Sequence, residues 1–186
     1  MDPTLLRNYF ATIYELPSGA GTGAGMAGAG ASALGTAGVA AVGGGASASG
    51  GATLRVSLDG DVVQDPSQLP ELLTKPFAIL TAYNPRSMLL PRKVNEGRHL
   101  VMRDMLILGC YRVEACVGYD DEPDGMWREP AWLVHGMDRE EAMAFGRVFR
   151  QNAVVYCREA RPEIIVTDPT CEDLGRTFVG HWRIRA

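Results

Sequence analysis

The residues able to do chemistry fall in three short runs of this 186-residue sequence: Asn84, Arg86 and Ser87 in FAILTAYNPRS, Glu129 in WREP, and Gln151 and Asn152 in RQNAVVY. Arg86 offers a planar fork that fits a carboxylate or a phosphate. The amides of Asn84, Gln151 and Asn152 each donate and accept hydrogen bonds. Glu129 is a candidate acid or base, with Asp120 or Asp124 as a second carboxyl. Asp121 and Trp127 stand near these groups in the chain. Ser87 has no G-x-S-x-G setting and no histidine close in sequence, so nothing marks it as a nucleophile.

Other chemistries lack their spacing. His99, His135 and His181 form no HxH or HxxxH pair, so each is expected as a surface or edge histidine and no metal site is expected. The acidic run DDEPDG resembles a calcium loop, but its twelfth position, which needs glutamate, is Ala131. Cys110, Cys116, Cys157 and Cys171 form no CxxC pair and are expected as reduced thiols. The first three are expected in strands. Gly23, Gly25 and Gly28 satisfy GxGxxG, but no helix with a core face and no suitably placed acid follows them, and their tract holds no lysine. No cofactor is expected.

The organising element is the apolar run 77–83, which offers apolar groups to both faces of a strand and so predicts a central, doubly covered one. Asn84-Pro85 ends it. Upstream, residues 3–11 predict a short amphipathic helix capped by Asp2, and residues 12–16 and 53–58 predict two paired strands. Between them, residues 18–52 contain 13 of the 22 glycines and no charge. Such a segment cannot bury enough surface to offset its ordering entropy, so a disordered insertion in an overgrown hairpin is expected. Residues 66–73 predict a short helical turn.

Downstream, residues 92–108 predict a helix whose face is Val94, Gly97, Val101, Met105 and Leu108, widened by Leu100, Leu106 and Ile107. Strands are expected at 111–117 and 131–135. A second helix starts at Asp138, where Asp138 and Glu141 form a D-x-x-E capping box, and Ala142, Phe145, Gly146 and Phe149 form its face. Strands at 153–157, 164–167 and 178–184 complete the chain. From 76 to 158 the order is strand, helix, strand, strand, helix, strand: an α+β domain with a ferredoxin-like βαββαβ core. Right-handed crossovers place the first and third strands centrally. Asn84, Asp120, Glu129 and Asn152 are then expected at one end of the sheet. If these residues only cap and turn, Arg86 pairs with Glu129 and the edge is scaffold.

The runs TLLRNYFATIYEL, FAILTAYNPRS, the helix bearing Asn95, and WREPAWLVHGMDREEAMAFGRVFRQNAVVY resemble the bacterial domain-of-unknown-function family 3293. The matched positions are Thr81, Ala82, Tyr83, Asn84, Pro85, Ser87, Asn95, Glu129, Pro130, Gln151, Asn152 and Ala153. The chain departs from that pattern by the glycine tract, by its tail, and by Arg150, where the family usually has glycine. The resemblance implies domain boundaries and a choice of edge, and no reaction.

The 186 residues suit a single domain. A net charge of −4 with mixed signs argues against a general nucleic-acid or anionic-membrane binder. No apolar run is long enough to span a bilayer, and the N-terminus lacks the basic start of a secretory signal, so a cytoplasmic setting is expected. Two functions fit the edge. The favoured one is noncatalytic binding of a small ligand or a protein partner. The alternative is an enzyme acting on an anionic substrate, with Glu129 as acid or base and Arg86 with Asn84 holding the anion.

Overall fold

The computed structural model describes residues 1–17, 53–61, 65–120 and 127–185. The disorder expected of 18–52, and the placement of Asp121 and Asp124, lie outside the described residues.

Asp2 starts the first helix, α1 (Pro3–Ala11), by accepting hydrogen bonds from the Thr4 and Leu5 amides. Strands β1 (Ile13–Pro17) and β2 (Thr53–Ser57) pair antiparallel, with Pro17 opposite Thr53, so the two residues flanking the glycine tract face each other. A 3-10 turn (Pro66–Gln68) and the short α2 (Glu71–Thr74) lead into β3 (Phe77–Leu80). A second 3-10 turn (Pro85–Ser87) precedes α3 (Arg92–Leu108). Then come β4 (Arg112–Tyr119), β5 (Arg128–His135), α4 (Arg139–Val148), β6 (Ala153–Arg158), β7 (Arg161–Val166), β8 (Thr177–Val179) and β9 (Arg183–Arg185).

The strands form one sheet in the order β8-β7-β6-β3-β5-β4-β1-β2-β9, every neighbouring pair antiparallel. Within it the strands of 76–158 run β6-β3-β5-β4, so the first and third of them, β3 and β5, are central, as expected. All of β3 is buried. The stretch expected as one strand over 178–184 is instead two, β8 and β9, at opposite edges of the sheet. Gly180 and His181 break it: the Gly180 amide donates to Pro162 on the β7 side, and the His181 amide donates to Leu58 beyond β2. A Cβ at Gly180 would lie 2.7 Å from the Leu58 carbonyl oxygen, so this approach needs glycine. Only three residues separate the end of β8 from the start of β9, a reach of about 15 Å at most. The sheet therefore curls until its two edges meet.

Curling divides the core. Phe77 and Ile79 of β3 point inward with Tyr14, Leu16, Val56, Leu133, Val155, Cys157, Ile164 and Trp182, and α1 and α2 pack on this inner cluster. Ala78 and Leu80 point outward to α3 and α4 with Val134, Val154, Tyr156 and Ile165. The alternation along each strand is the strand's own period of two.

α4 follows expectation except at Phe145, which is only partly buried. The Asp138 side chain accepts from the Glu141 amide, the Glu141 carboxylate accepts from the Asp138 amide, and Ala142, Gly146 and Phe149 are buried, with Met143 beside them. α3 has the expected bounds but a different face. Val94, Val101, Met105 and Leu108 are exposed, and Asn95, His99, Met102 and Leu106 are buried. His99 is thus no surface residue: its ring stacks on Trp132 at 4.5 Å and meets Tyr83 edge-on at 5.3 Å. Cys110 lies in an exposed turn with φ 62°, not in a strand, while Cys116 and Cys157 are buried strand residues, and all four cysteines are free.

Candidate functional site

The turn after β3 is conformationally costly. Asn84, Arg86 and Ser87 have φ of 40°, 52° and 58°, a left-handed region that costs non-glycine residues about 1–2 kcal/mol each. Asparagine tolerates it best, and the surroundings hold the rest. The Asn84 amide donates to Asn95 Oδ1 (2.9 Å), and Asn95 Nδ2 returns a bond to Asn84 Oδ1 (2.8 Å). Leu90 also donates to Asn84 Oδ1 (3.2 Å). The Arg86 amide donates to the Arg150 carbonyl (2.8 Å). Arg98 of α3 spans the two helices, donating to the Ala82 carbonyl at 2.9 Å and the Phe149 carbonyl at 2.7 Å.

This frame brings together residues from four places in the chain. Asn84 Nδ2 donates to Glu129 Oε2 (3.3 Å), Gln151 Nε2 to the Tyr83 carbonyl (2.8 Å), and Asn152 Nδ2 to Ser87 Oγ (2.9 Å). Arg86 goes elsewhere. Its guanidinium pairs with Asp168 at 3.3 Å, not with Glu129. The amides of Thr167 and Asp168 both donate to the Asn152 carbonyl, which carries the loop after β7 against the turn and sets Asp168 beside Arg86. Arg86 Nε is buried with no partner among the described residues.

On the inner side of the same edge lies a cavity of about 760 Å³. Its walls follow from strand register. Glu129 is opposite Gly118, and the Asp120 amide extends the ladder to the Trp127 carbonyl (3.3 Å). Trp127, Glu129 and Ala131 therefore share the inner face with Gly118 and Asp120. Thr81 continues the inward row of Phe77 and Ile79. Tyr9 of α1 and Tyr14 of β1 close the opposite side, and Asn84, Gln151 and Asn152 reach the rim. Arg86 is not among the lining residues. Arg185, which is, donates to Ser57 and Asp59.

Glu129 is 8% exposed. Burial pushes its carboxyl above the usual range, and the Thr81 hydroxyl and Asn84 amide oppose that rise. The Thr81 hydroxyl stands between two acceptors, the Glu129 carboxylate and the Pro130 carbonyl (3.0 Å), with one proton to give. Burial raises the Tyr9 and Tyr14 phenols, and the Glu129 charge adds to both. Asp120 Oδ1 is buried and has no partner among the described residues. Among the described residues, no three His, Cys, Asp or Glu side chains are placed to hold a metal ion.

The sequence reading missed Tyr9, Tyr14 and Thr81 as cavity walls, Arg98 as a clamp, and Asp168 as the partner of Arg86. Asn95 and His99 had a signal, since they stand four apart on one stripe with Met102 and Leu106, but a search for apolar periodicity passes over polar residues.

Fold and cavity together define an α+β domain built on a curled antiparallel sheet, with a pocket where several strand ends meet. Residues 80–154 match the family described as Protein of unknown function (DUF3293), and over that segment the chain is similar to that family. The matched segment runs from the end of β3 to the start of β6 and contains Asn84, Asn95, Asp120, Glu129, Gln151 and Asn152. It does not include Tyr9 and Tyr14. No curated protein and no solved structure matches this chain.

Proposed function

We propose that this chain is a binding protein for a small organic molecule, taken into the cavity at the shared end of the sheet. One observation carries the reading: a pocket of about 760 Å³ whose apolar wall is interrupted by a few convergent polar groups, Thr81, Asn84, Asp120 and Glu129. That size and that mixture are typical of small-molecule sites. The ferredoxin-like reading of the core belongs here too, and the antiparallel order β6-β3-β5-β4 supports it. Four free cysteines support a reducing, cytoplasmic setting. No helix among the described residues is long and apolar enough to cross a membrane.

A thermal-shift screen against metabolite-sized compounds tests the proposal, because a ligand of the folded state raises the midpoint by mass action. Shifts are expected for the natural chain and not for Ala131→Phe, which fills the cavity from β5. Equal shifts in a folded Ala131→Phe variant would place binding elsewhere.

A second reading rests on Glu129, whose buried carboxyl suits acid or base work. An anion held by Arg86 is no longer part of it, since Arg86 is committed to Asp168 outside the pocket. Turnover of a bound compound that disappears in Glu129→Gln while binding survives would favour the enzyme.

A further inference from the structure

We propose that the cavity selects an organic cation: a protonated amine on an apolar body, with the ammonium held by Glu129 and Asp120 and the body against Tyr9, Tyr14 and Ala131. This rests on the ligand-binding reading of the same pocket.

The argument begins with charge. Among the described residues, the lining carries two carboxyls, Glu129 and Asp120, and one guanidinium, Arg185. Arg185 is matched by Asp59, 3.3 Å away, and no ion pair to either acid occurs among the described residues. The hydrogen-bonding groups on Glu129, the Asn84 amide and the Thr81 hydroxyl, are neutral. Buried charges are ordinarily paired, and a carboxylate held only by neutral donors remains costly to ionise. Asp120 Oδ1, buried without a partner among the described residues, is a second acceptor awaiting a donor. Each ligand type can then be judged. An anion meets two like charges. A neutral ligand leaves the charge uncompensated. A cation supplies the missing counter-charge to Glu129 and donors for both acids at once.

Geometry permits this. Glu129 faces Gly118, and Asp120 faces Trp127, so the two carboxyls leave one face of the sheet a single diagonal step apart. Diagonal neighbours have β-carbons about 7 Å apart, a gap that one ammonium can bridge with two charge-assisted hydrogen bonds. Gly118 contributes no side chain at the crossing point, where a Cβ would lie 3.3 Å from both Thr12 and Tyr14. The rings of Tyr9, Tyr14 and Trp127 line the same space, and aromatic faces attract cations.

The test uses matched triads on one body: tryptamine, tryptophol and indole-3-acetate, with the corresponding phenethyl set. Titration calorimetry at pH 7 on the full chain is expected to show the amine binding at least tenfold tighter than the alcohol, and the acid not binding. In Glu129→Gln the amine loses that preference and the alcohol binds at least as well as before. The titratable groups facing Glu129 are Tyr9 from α1, Tyr14 from β1 and Asp120 after β4, with Tyr83 near the turn and Arg185 on β9. Because burial raises the Glu129 pKa, amine affinity should increase as pH rises through that titration, and the increase should vanish in Glu129→Gln. Alcohols or acids that bind the natural chain as tightly as their amines overturn the cation assignment and leave a ligand site standing. If no triad and no compound of the wider screen binds, both readings fall.

Discussion

α3 and α4 cover the same outer face of the sheet, yet they bury different kinds of stripe. In α4 the stripe is apolar throughout: Ala142, Met143, Gly146 and Phe149. In α3 it begins with Asn95 and His99 and turns apolar only at Met102 and Leu106. Val101 and Leu108, meanwhile, are 55% and 83% exposed. The buried stripe of α4 is held by burial, at about 1.5–3 kcal/mol for each large side chain removed from water. α3 spends its first buried turns on polar contacts that hold the chain at Asn84, where the backbone is left-handed. One helix is scaffold and the other is a tether for the turn that presents Asn84 to Glu129.

Substitutions can break this contrast. The largest effect is expected at Phe149, where Phe149→Ala should cost about 3–5 kcal/mol in chemical denaturation, the loss from emptying an apolar site. A cost below about 1 kcal/mol would mean that α4 is not held by burial. Asn95→Ala should cost about 1–3 kcal/mol, because it leaves the partly buried Asn84 amide without its acceptor. The tether reading adds that Asn95→Ala weakens cavity binding as well, and unchanged binding with reduced stability would reduce Asn95 to a packing residue. The smallest effect is a gain. Arg150, just past α4, has φ 58° and stands where the family resemblance expects glycine. Arg150→Gly should raise stability by up to about 1 kcal/mol by relieving left-handed strain, less what glycine adds to the unfolded chain's entropy. A loss of stability would show that the Arg150 side chain is engaged in holding the turn.

Much of this was readable from residues. α4 was legible because its capping box is local and its stripe apolar. The convergence of Asn84, Glu129, Gln151 and Asn152 was legible because the crossover rule fixes strand order, and strand order fixes which ends meet. Residues whose position depends on elements outside the βαββαβ segment were not. Asp168 reaches Arg86 only because the loop after β7 hangs from the Asn152 carbonyl. Tyr9 and Tyr14 face Glu129 only because β1 joins the sheet beside β4 and curls inward. His99 was read as a surface or edge residue because the histidines lack metal-ligand spacing, and its ring is instead enclosed by Tyr83 and Trp132. The last strand was read as continuous because no local rule says that Gly180 will pass within touching distance of Leu58.

That passage at Gly180 and His181 bears on how the molecule keeps to itself. An open sheet of nine strands has two exposed rims, each able to template pairing with another chain. Here the same few residues sit on both. Gly180 donates to Pro162 on one side, His181 donates to Leu58 on the other, and Gly60 donates back to His181. The chain thus ties the β7 side to the β2 side at one point, with no hydrogen bond between β8 and β9 themselves among the described residues. Glycines stand on both sides of it, since a Cβ at Gly60 would lie 2.7 Å from the Trp182 carbonyl oxygen. The two rims are thus drawn together at one narrow join, and a side chain at either glycine would strain it.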